Sequence, residues 1–203
     1  MPTRRERLLT EGMRLFGEQG YQATSVAQIE EAAGLSPGSG SLYKHFRSKR
    51  QLLETGIEEV LAAPHGLPAE ATPKPSHSGD TAELLKARTE AGLARMEQDR
   101  DLSRLVFRDL DRFPDLLERF GRDEIARIQQ DSATFLAHLA GNTENTEGRD
   151  DDWEALAAIL QAAVAHYWLL EDRFGTHPTG VPRVRFIAAL VRLATLAVSD
   201  TTA

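Results

Sequence analysis

The chain has 203 residues, 41% of them hydrophobic, enough apolar material for one medium domain or for a small one joined to a larger one. It has no cysteine, which excludes disulfides, thiolate zinc sites and cysteine nucleophiles and fits a reducing cytoplasm. The formal charge of −7 argues against a protein that coats nucleic acid, yet the charge is uneven: residues 1–50 carry eight basic and five acidic side chains, a net +3, and the other 153 sum to −10. A cationic head on an acidic body can follow phosphate while the body repels the duplex elsewhere; ordinary fluctuation in surface charge is the plain alternative.

The N-terminus has early arginines but no apolar core of signal-peptide length and no small-residue cleavage site. The longest uncharged run, Ala155 to Leu170, has sixteen residues, short of the ~20 that span a bilayer. A cytoplasmic protein with no membrane partner is expected.

Arg4 to Gln19 reads as a first helix, with Leu8, Gly12, Leu15, Phe16 and Gln19 at helical spacing and Gly20 ending it. Gly12 in its interior marks a close approach of another backbone. Ser25 and Gln28 have the spacing of a capping box and open a second helix, which presents Val26, Ile29 and Ala33 and stops at Gly34. Ser36 then caps a third helix with Pro37 at its first position. Only Gly34 and Leu35 separate the two, so they must cross steeply, as in a helix-turn-helix element that offers its second helix to a major groove. Ser48 and Gln51 repeat the capping-box spacing, and a fourth helix runs from about Lys49 to Ala62.

The proline-rich stretch 63–79 reads as a linker or loop. Only helices follow, at roughly Thr81 to Asp99, Asp101 to Asp111, Pro114 to Ala140, Asp152 to Phe174 and Pro182 to Ser199, with polar or proline-containing breaks. The expected fold is all-α, about nine helices, with a three-helix helix-turn-helix head and connecting helix over 1–62, the linker over 63–79 and a helical body over 80–203. Ala155 to Leu170 and Val184 to Val198 are apolar around most of their circumference and need cover on two sides. A second copy packed against these last two helices, as a two-fold four-helix interface, supplies it; a helix pair central to a single body is the alternative.

Residues 1–62 resemble the DNA-binding domain of the tetracycline-repressor (TetR) family of bacterial transcriptional regulators. The resemblance rests on LL..G..LF...GY..TSV..I...AGLS from Leu8 to Ser36 and LYKHFRSK..LL from Leu42 to Leu53, in the family's order. It implies a homodimer that binds a palindromic double-stranded DNA operator and releases it when a small molecule enters the body. Carried over by position, it implies phosphate contacts from Thr24, Ser25, Tyr43, His45 and Lys49, with the helix from Ser36 in the major groove. The residues agree chemically: the Tyr43 hydroxyl can reach a phosphate oxygen, Lys49 opens a helix whose free N–H groups favour anions, and Lys44 and Arg47 add charge.

The sequence departs from the family pattern in three places. LSPGSGSL between Gly34 and Tyr43 is two residues longer than usual, and Glu30 and Gly12 stand at positions usually held by alanine. Ser36, Pro37, Ser39 and Ser41 therefore have no individual base assignment. None is a strong base reader, since arginine on guanine and Asn or Gln on adenine are the discriminating pairings. Lys44, Arg4 or Arg5 and DNA shape can supply specificity instead. Equally, Gly38, Ser39 and Gly40 can form no more than a flexible turn.

No metal, cofactor or catalytic site is expected. The histidines lack metal-ligand spacing, Gly34, Gly38 and Gly40 do not make a phosphate loop, and no catalytic dyad is recognisable. Effector candidates are polar residues interrupting apolar faces, Thr89, Ser132, Gln161 and His166, with Met96, Phe107, Phe135, Tyr167 and Trp168 as apolar or aromatic walls. The alternative for each is a satisfied core group or a hydroxyl bonded to its own helix. The overall expectation is a ligand-responsive repressor without enzymatic activity. The rival is an all-helical binding or enzymatic protein whose head no longer engages DNA.

Overall fold

The structure is a computed structural model that describes residues 2–62, 78–141 and 152–200. Among these residues every regular element is helical. The expected linker at 63–79 lies outside the described residues except at its end, where a helix already begins at Ser78. The helices are α1 (Arg4–Gln19), α2 (Val26–Ala32), α3 (Lys49–Ala62), α4 (Ser78–Gln98), α5 (Arg100–Arg108), α6 (Pro114–Phe120), α7 (Ala126–Leu139), α8 (Trp153–Phe174) and α9 (Arg183–Asp200). A π turn, Gly121–Ile125, joins α6 to α7, so the single helix expected from Pro114 is continuous but locally widened.

The chain forms two compact units, Met1–Pro64 with Asp99–Glu124, and His65–Gln98 with Ile125–Ala203. Packing thus groups α5 and α6 with the head, where the sequence division at 62 and 80 had put them in the body.

In the first unit, α1 starts at Thr3, whose hydroxyl accepts from the Glu6 N–H while the Glu6 carboxylate accepts from the Thr3 N–H at 2.7 Å. Leu8, Leu9 and Phe16 of α1 meet Ile29 from α2 and Ala33 just after it, Leu52, Leu53 and Ile57 from α3, and Leu102, Leu105 and Leu110 in one core. The third side of α1 is closed by α5, and the reason is a glycine. A Cβ on Gly17 would lie 2.5 Å from the Asp101 Cα, so the two backbones approach as closely as only glycine permits. The close approach expected at Gly12 is of a different kind, because what faces it is the Leu52 side chain, at 2.6 Å.

Arg108 and Asp109 complete this contact. The Arg108 guanidinium donates to the carbonyls of Phe16, Gly17 and Glu18, the last of α1, where a cation offsets the helix dipole. The buried Asp109 carboxylate accepts from the Tyr21 N–H at 3.3 Å and from Arg108 Nε at 2.9 Å. At α3, Arg50 pairs with Asp115 and Arg119 with Glu58 at 3.1 Å, and the Phe113 ring meets Tyr21 edge-on.

In the second unit, α4 lies between α8 and α9, and α7 packs on α8. Leu85, Phe135, Leu136, Ala157, Ala194 and Val198 form one core, and Leu93, Tyr167, Trp168 and Ile187 another. Asp152 caps α8 by accepting from the Ala155 N–H, and Gly175 ends it in the left-handed conformation.

Gly17→Ala should therefore destabilise the protein by about 1–3 kcal/mol through overpacking against the Asp101 backbone, read as a lower chemical-denaturation midpoint. Gly121→Ala, where an added Cβ meets nothing, should not.

Candidate nucleic-acid interface

The stretch after α2 is built differently from the sequence expectation. Gly34, at φ 71°, ends α2 in a Schellman arrangement: the Leu35 N–H donates to the Glu30 carbonyl at 2.8 Å and the Gly34 N–H to the Glu31 carbonyl at 2.9 Å. The third helix expected from Ser36 does not form. Gly38 and Gly40 stand at φ 71° and φ 70°, the left-handed region, and two such residues among six cannot belong to a right-handed helix. Pro37 instead occupies a turn closed by the Ser39 N–H on the Ser36 carbonyl, and the only helical residues between α2 and α3 are the single 3-10 turn Leu42–Lys44.

That turn is fastened from below. Leu42 and Phe46 are buried in the core of the first unit, and the Leu42 N–H donates to the buried Glu30 Oε1 at 2.9 Å. Tyr43, Lys44 and His45 consequently face outward, Tyr43 with 58% of its surface exposed. Ser36, Pro37 and Ser39 are also exposed, Ser41 is half-buried, and the Ser39 and Ser41 hydroxyls are 2.7 Å apart. Arg4 is exposed in the first turn of α1, while its neighbour Arg5 pairs with Glu59 at 3.3 Å and lies over the Phe46 ring.

Of the residues implied as phosphate contacts, Ser25 is the exposed N-cap of α2, its hydroxyl accepting from the Gln28 N–H at 3.2 Å. Thr24 and Lys49 have other employment. Thr24 is 1% exposed, and its hydroxyl, 2.7 Å from the Gly20 carbonyl and 3.2 Å from that of Leu15, also accepts from Gln19 Nε2. Lys49 Nζ donates to the carbonyls of Tyr21 and Thr24, both at 2.7 Å, and sits 4.2 Å from the centroid of the Tyr21 ring. Burial pulls the Lys49 pKa below its ordinary value. Both side chains brace the turn between α1 and α2 and thereby set where Ser25 stands.

Residues 8–55 match the family described as bacterial regulatory proteins, tetR family. Beyond that segment, the chain is 30% identical over 175 residues to the HTH-type transcriptional regulator TcmR of Streptomyces glaucescens, covering 82% of this chain and 73% of that protein. The chain belongs to the tetR family of bacterial regulatory proteins. It is 41% identical over 59 residues to the HTH-type transcriptional repressor KstR2 of Mycolicibacterium smegmatis, a match spanning 29% of this chain and 28% of that relative's length. Among solved structures, Salmonella enterica GusR shares the fold with a TM-score of 0.61 at 22% identity, over 97% of this chain and 95% of that one. A TetR-family regulator from Cytophaga hutchinsonii does so with a TM-score of 0.57 at 16% identity, over 98% and 97%. These relatives are transcriptional regulators, and this chain is a DNA-binding regulator of the same class.

The effector candidates of this tetR-family regulator separate into groups. Tyr167 and Trp168 are core residues with satisfied polar atoms: the Tyr167 hydroxyl lies 2.9 Å from the Val181 carbonyl and 3.0 Å from Glu171, and Trp168 Nε1 donates to Glu97. The Tyr167 ring is stacked between His177 and Phe186, and its pKa is pushed up to about 12, by burial first and Glu171 second. Met96 packs against the same core. The Thr89 hydroxyl donates to the Leu85 carbonyl of its own helix. His166 is exposed on α8, and Phe107 is a half-exposed residue of the first unit.

Ser132, Phe135 and Gln161 do come together, and what joins them is Arg88, absent from the sequence candidates. The available signal was a charge one turn from Leu84 and Leu85, on the inward side of α4. Among the described residues no group of three or more His, Asp or Glu side chains is arranged to hold a metal ion. Nor is any helix long and apolar enough to cross a membrane.

Bracing and contact residues should respond differently to substitution. Lys49→Met leaves two carbonyls without a donor and should cost about 1–3 kcal/mol of stability. Lys44→Ala should stay within about 0.5 kcal/mol of the parent in denaturation. It should nevertheless reduce the slope of DNA affinity against salt by about one unit.

Proposed function

We propose that this protein is a ligand-responsive repressor that binds a palindromic operator as a homodimer and releases it when a small molecule occupies the body. The observation that carries this is the outward display of Tyr43, Lys44 and His45 on a buried anchor within the family-matching segment. Tyr43, Lys44, His45, Ser25 and Arg4 supply phosphate and sugar contacts, which fix register without reading sequence. Ser36, Pro37, Ser39 and Ser41 meet the groove as a turn, and Thr24 and Lys49 act through the backbone they hold.

The apolar surface left on α8 and α9 supports the dimer. On α8, Ala155, Ala158, Ile159 and Ala162 are exposed at helical spacing with His166 at the end of the row. Small residues allow two helices to come close, and Ala189, Leu193 and Leu196 offer a comparable row on α9. Ile159 and Leu193 are each 64% exposed, an arrangement stabilised when a second copy removes them from water. Two heads related by that two-fold axis would meet half-sites about one helical turn apart, or a multiple of it. Ligand in the body then favours a head spacing that no longer matches successive grooves.

Selection of bound sequences from random duplex DNA, followed by footprinting, should return a two-fold symmetric site whose affinity falls steeply with salt. No enrichment at low salt would refute the reading. Leu193→Glu should shift the dimer to monomer in sedimentation equilibrium and weaken operator binding by about tenfold or more, since the second head no longer adds its effective concentration.

A further inference from the structure

Arg88 of α4 is half-buried beside the core formed by Leu85, Phe135, Leu136 and Ala157, and its guanidinium carbon lies 4.6 Å from the centroid of the Phe135 ring. Its Nη2 donates to Ser132 Oγ on α7 at 3.3 Å, and Gln161 Nε2 on α8 donates to the same oxygen at 3.0 Å. Three helices thus direct a guanidinium, an amide NH2 and a hydroxyl to one point, where donors outnumber acceptors.

Among the described residues no carboxylate lies within ion-pair distance of Arg88. The one whose charge it feels, Asp131, is the partner of Arg127 at 3.5 Å on α7. Burial acts against the Arg88 charge and pulls its pKa down, with Asp131 as the only opposing influence. A cation held partly out of water over a ring, with one long neutral hydrogen bond, lacks the counter-charge that such groups ordinarily have. The missing element is an anionic acceptor. A carboxylate fits best because two oxygens can accept from a guanidinium side by side and from the Gln161 amide as well.

We infer that the body binds a small organic carboxylate, its carboxyl group on Arg88, Ser132 and Gln161 and its hydrocarbon part against Phe135 and the leucines beside it. This rests on the reading of the chain as a ligand-responsive regulator and names the chemical class of its effector. An uncharged ligand of the same shape would leave the guanidinium as unpaired as it is without ligand, so the site discriminates by charge.

The test is titration calorimetry of the full chain, without DNA, using 2-naphthoate and its uncharged counterpart 2-naphthamide. The carboxylate should bind about tenfold or more tightly than the amide, as expected when a charge-assisted hydrogen bond replaces a neutral one. Arg88→Met should abolish that preference, with folding checked by helix content. Gln161→Glu, which keeps Arg88 and supplies an internal carboxylate, should lose naphthoate affinity about as strongly by satisfying the guanidinium itself. Equal binding of the two probes, binding of neither at millimolar concentration, or a carboxylate preference that survives Arg88→Met overturns the inference. Operator retardation is scored separately. Arg88-dependent naphthoate binding with no operator keeps the site and sinks the regulator reading, whereas operator binding without carboxylate preference does the reverse.

Discussion

A single buried hydrogen bond, from the Leu42 N–H to Glu30 Oε1, decides what the head can present. In an uninterrupted helix that N–H would bond to a carbonyl one turn back. Gly38 and Gly40 take the chain through the left-handed region there, so no such carbonyl is in place, and a helical turn begun inside the core would start on an orphan donor. Glu30 supplies the acceptor from α2. Its other oxygen is buried without a hydrogen-bond partner, a cost of about 1–3 kcal/mol that an alanine would avoid. The acid at position 30 and the turn carrying Gly38 and Gly40 are thus one structural device. That turn requires an outside acceptor, and Glu30 is that acceptor.

This explains why the helices were legible in the sequence and the reading surface was not. Caps and apolar spacing are local, so Ser25 with Gln28 and the runs of α1, α8 and α9 declare themselves. Ser36 followed by Pro37 is an equally good local helix start, and it misleads because the glycines two and four residues past Ser36 adopt positive φ. Glycine permits that conformation without announcing it. For Thr24 and Lys49 the sequence shows the residue type but not the surroundings. Both match the family pattern and are hydrophilic, yet only the packing of α1 against α3 shows that their polar atoms are occupied by carbonyls of the intervening turn.

In the body three of the sequence candidates, Ser132, Phe135 and Gln161, meet around Arg88, a residue the sequence reading did not name. Ser132, Phe135 and Gln161 were legible as interruptions or members of apolar faces. Arg88 was not, because an arginine among charged neighbours on α4 looks like solvated surface, and its long aliphatic stem can carry the charge either outward or across a core. Only the position of Phe135 and Ser132, more than forty residues further on, settles the direction. The hydrogen-bond partners of Tyr167 and Trp168, the Val181 carbonyl and Glu97, likewise become visible only in the packed structure.

The same long-range logic governs the placement of Asp99–Glu124. In the sequence reading it belongs to the body over 80–203. In the structure Arg108 covers the last carbonyls of α1 and the Asp109 carboxylate holds the Tyr21 N–H, while Gly17 lets the α5 backbone sit directly on α1. Sliding α5 along α1 would uncover those carbonyls, strip the Tyr21 N–H of its acceptor and drive the Asp101 backbone into whatever follows Gly17. Small independent displacements of α5 are therefore opposed by several polar contacts at once, the buried Asp109 carboxylate among them. A segment that interrupts the second unit in sequence thus packs as part of the first.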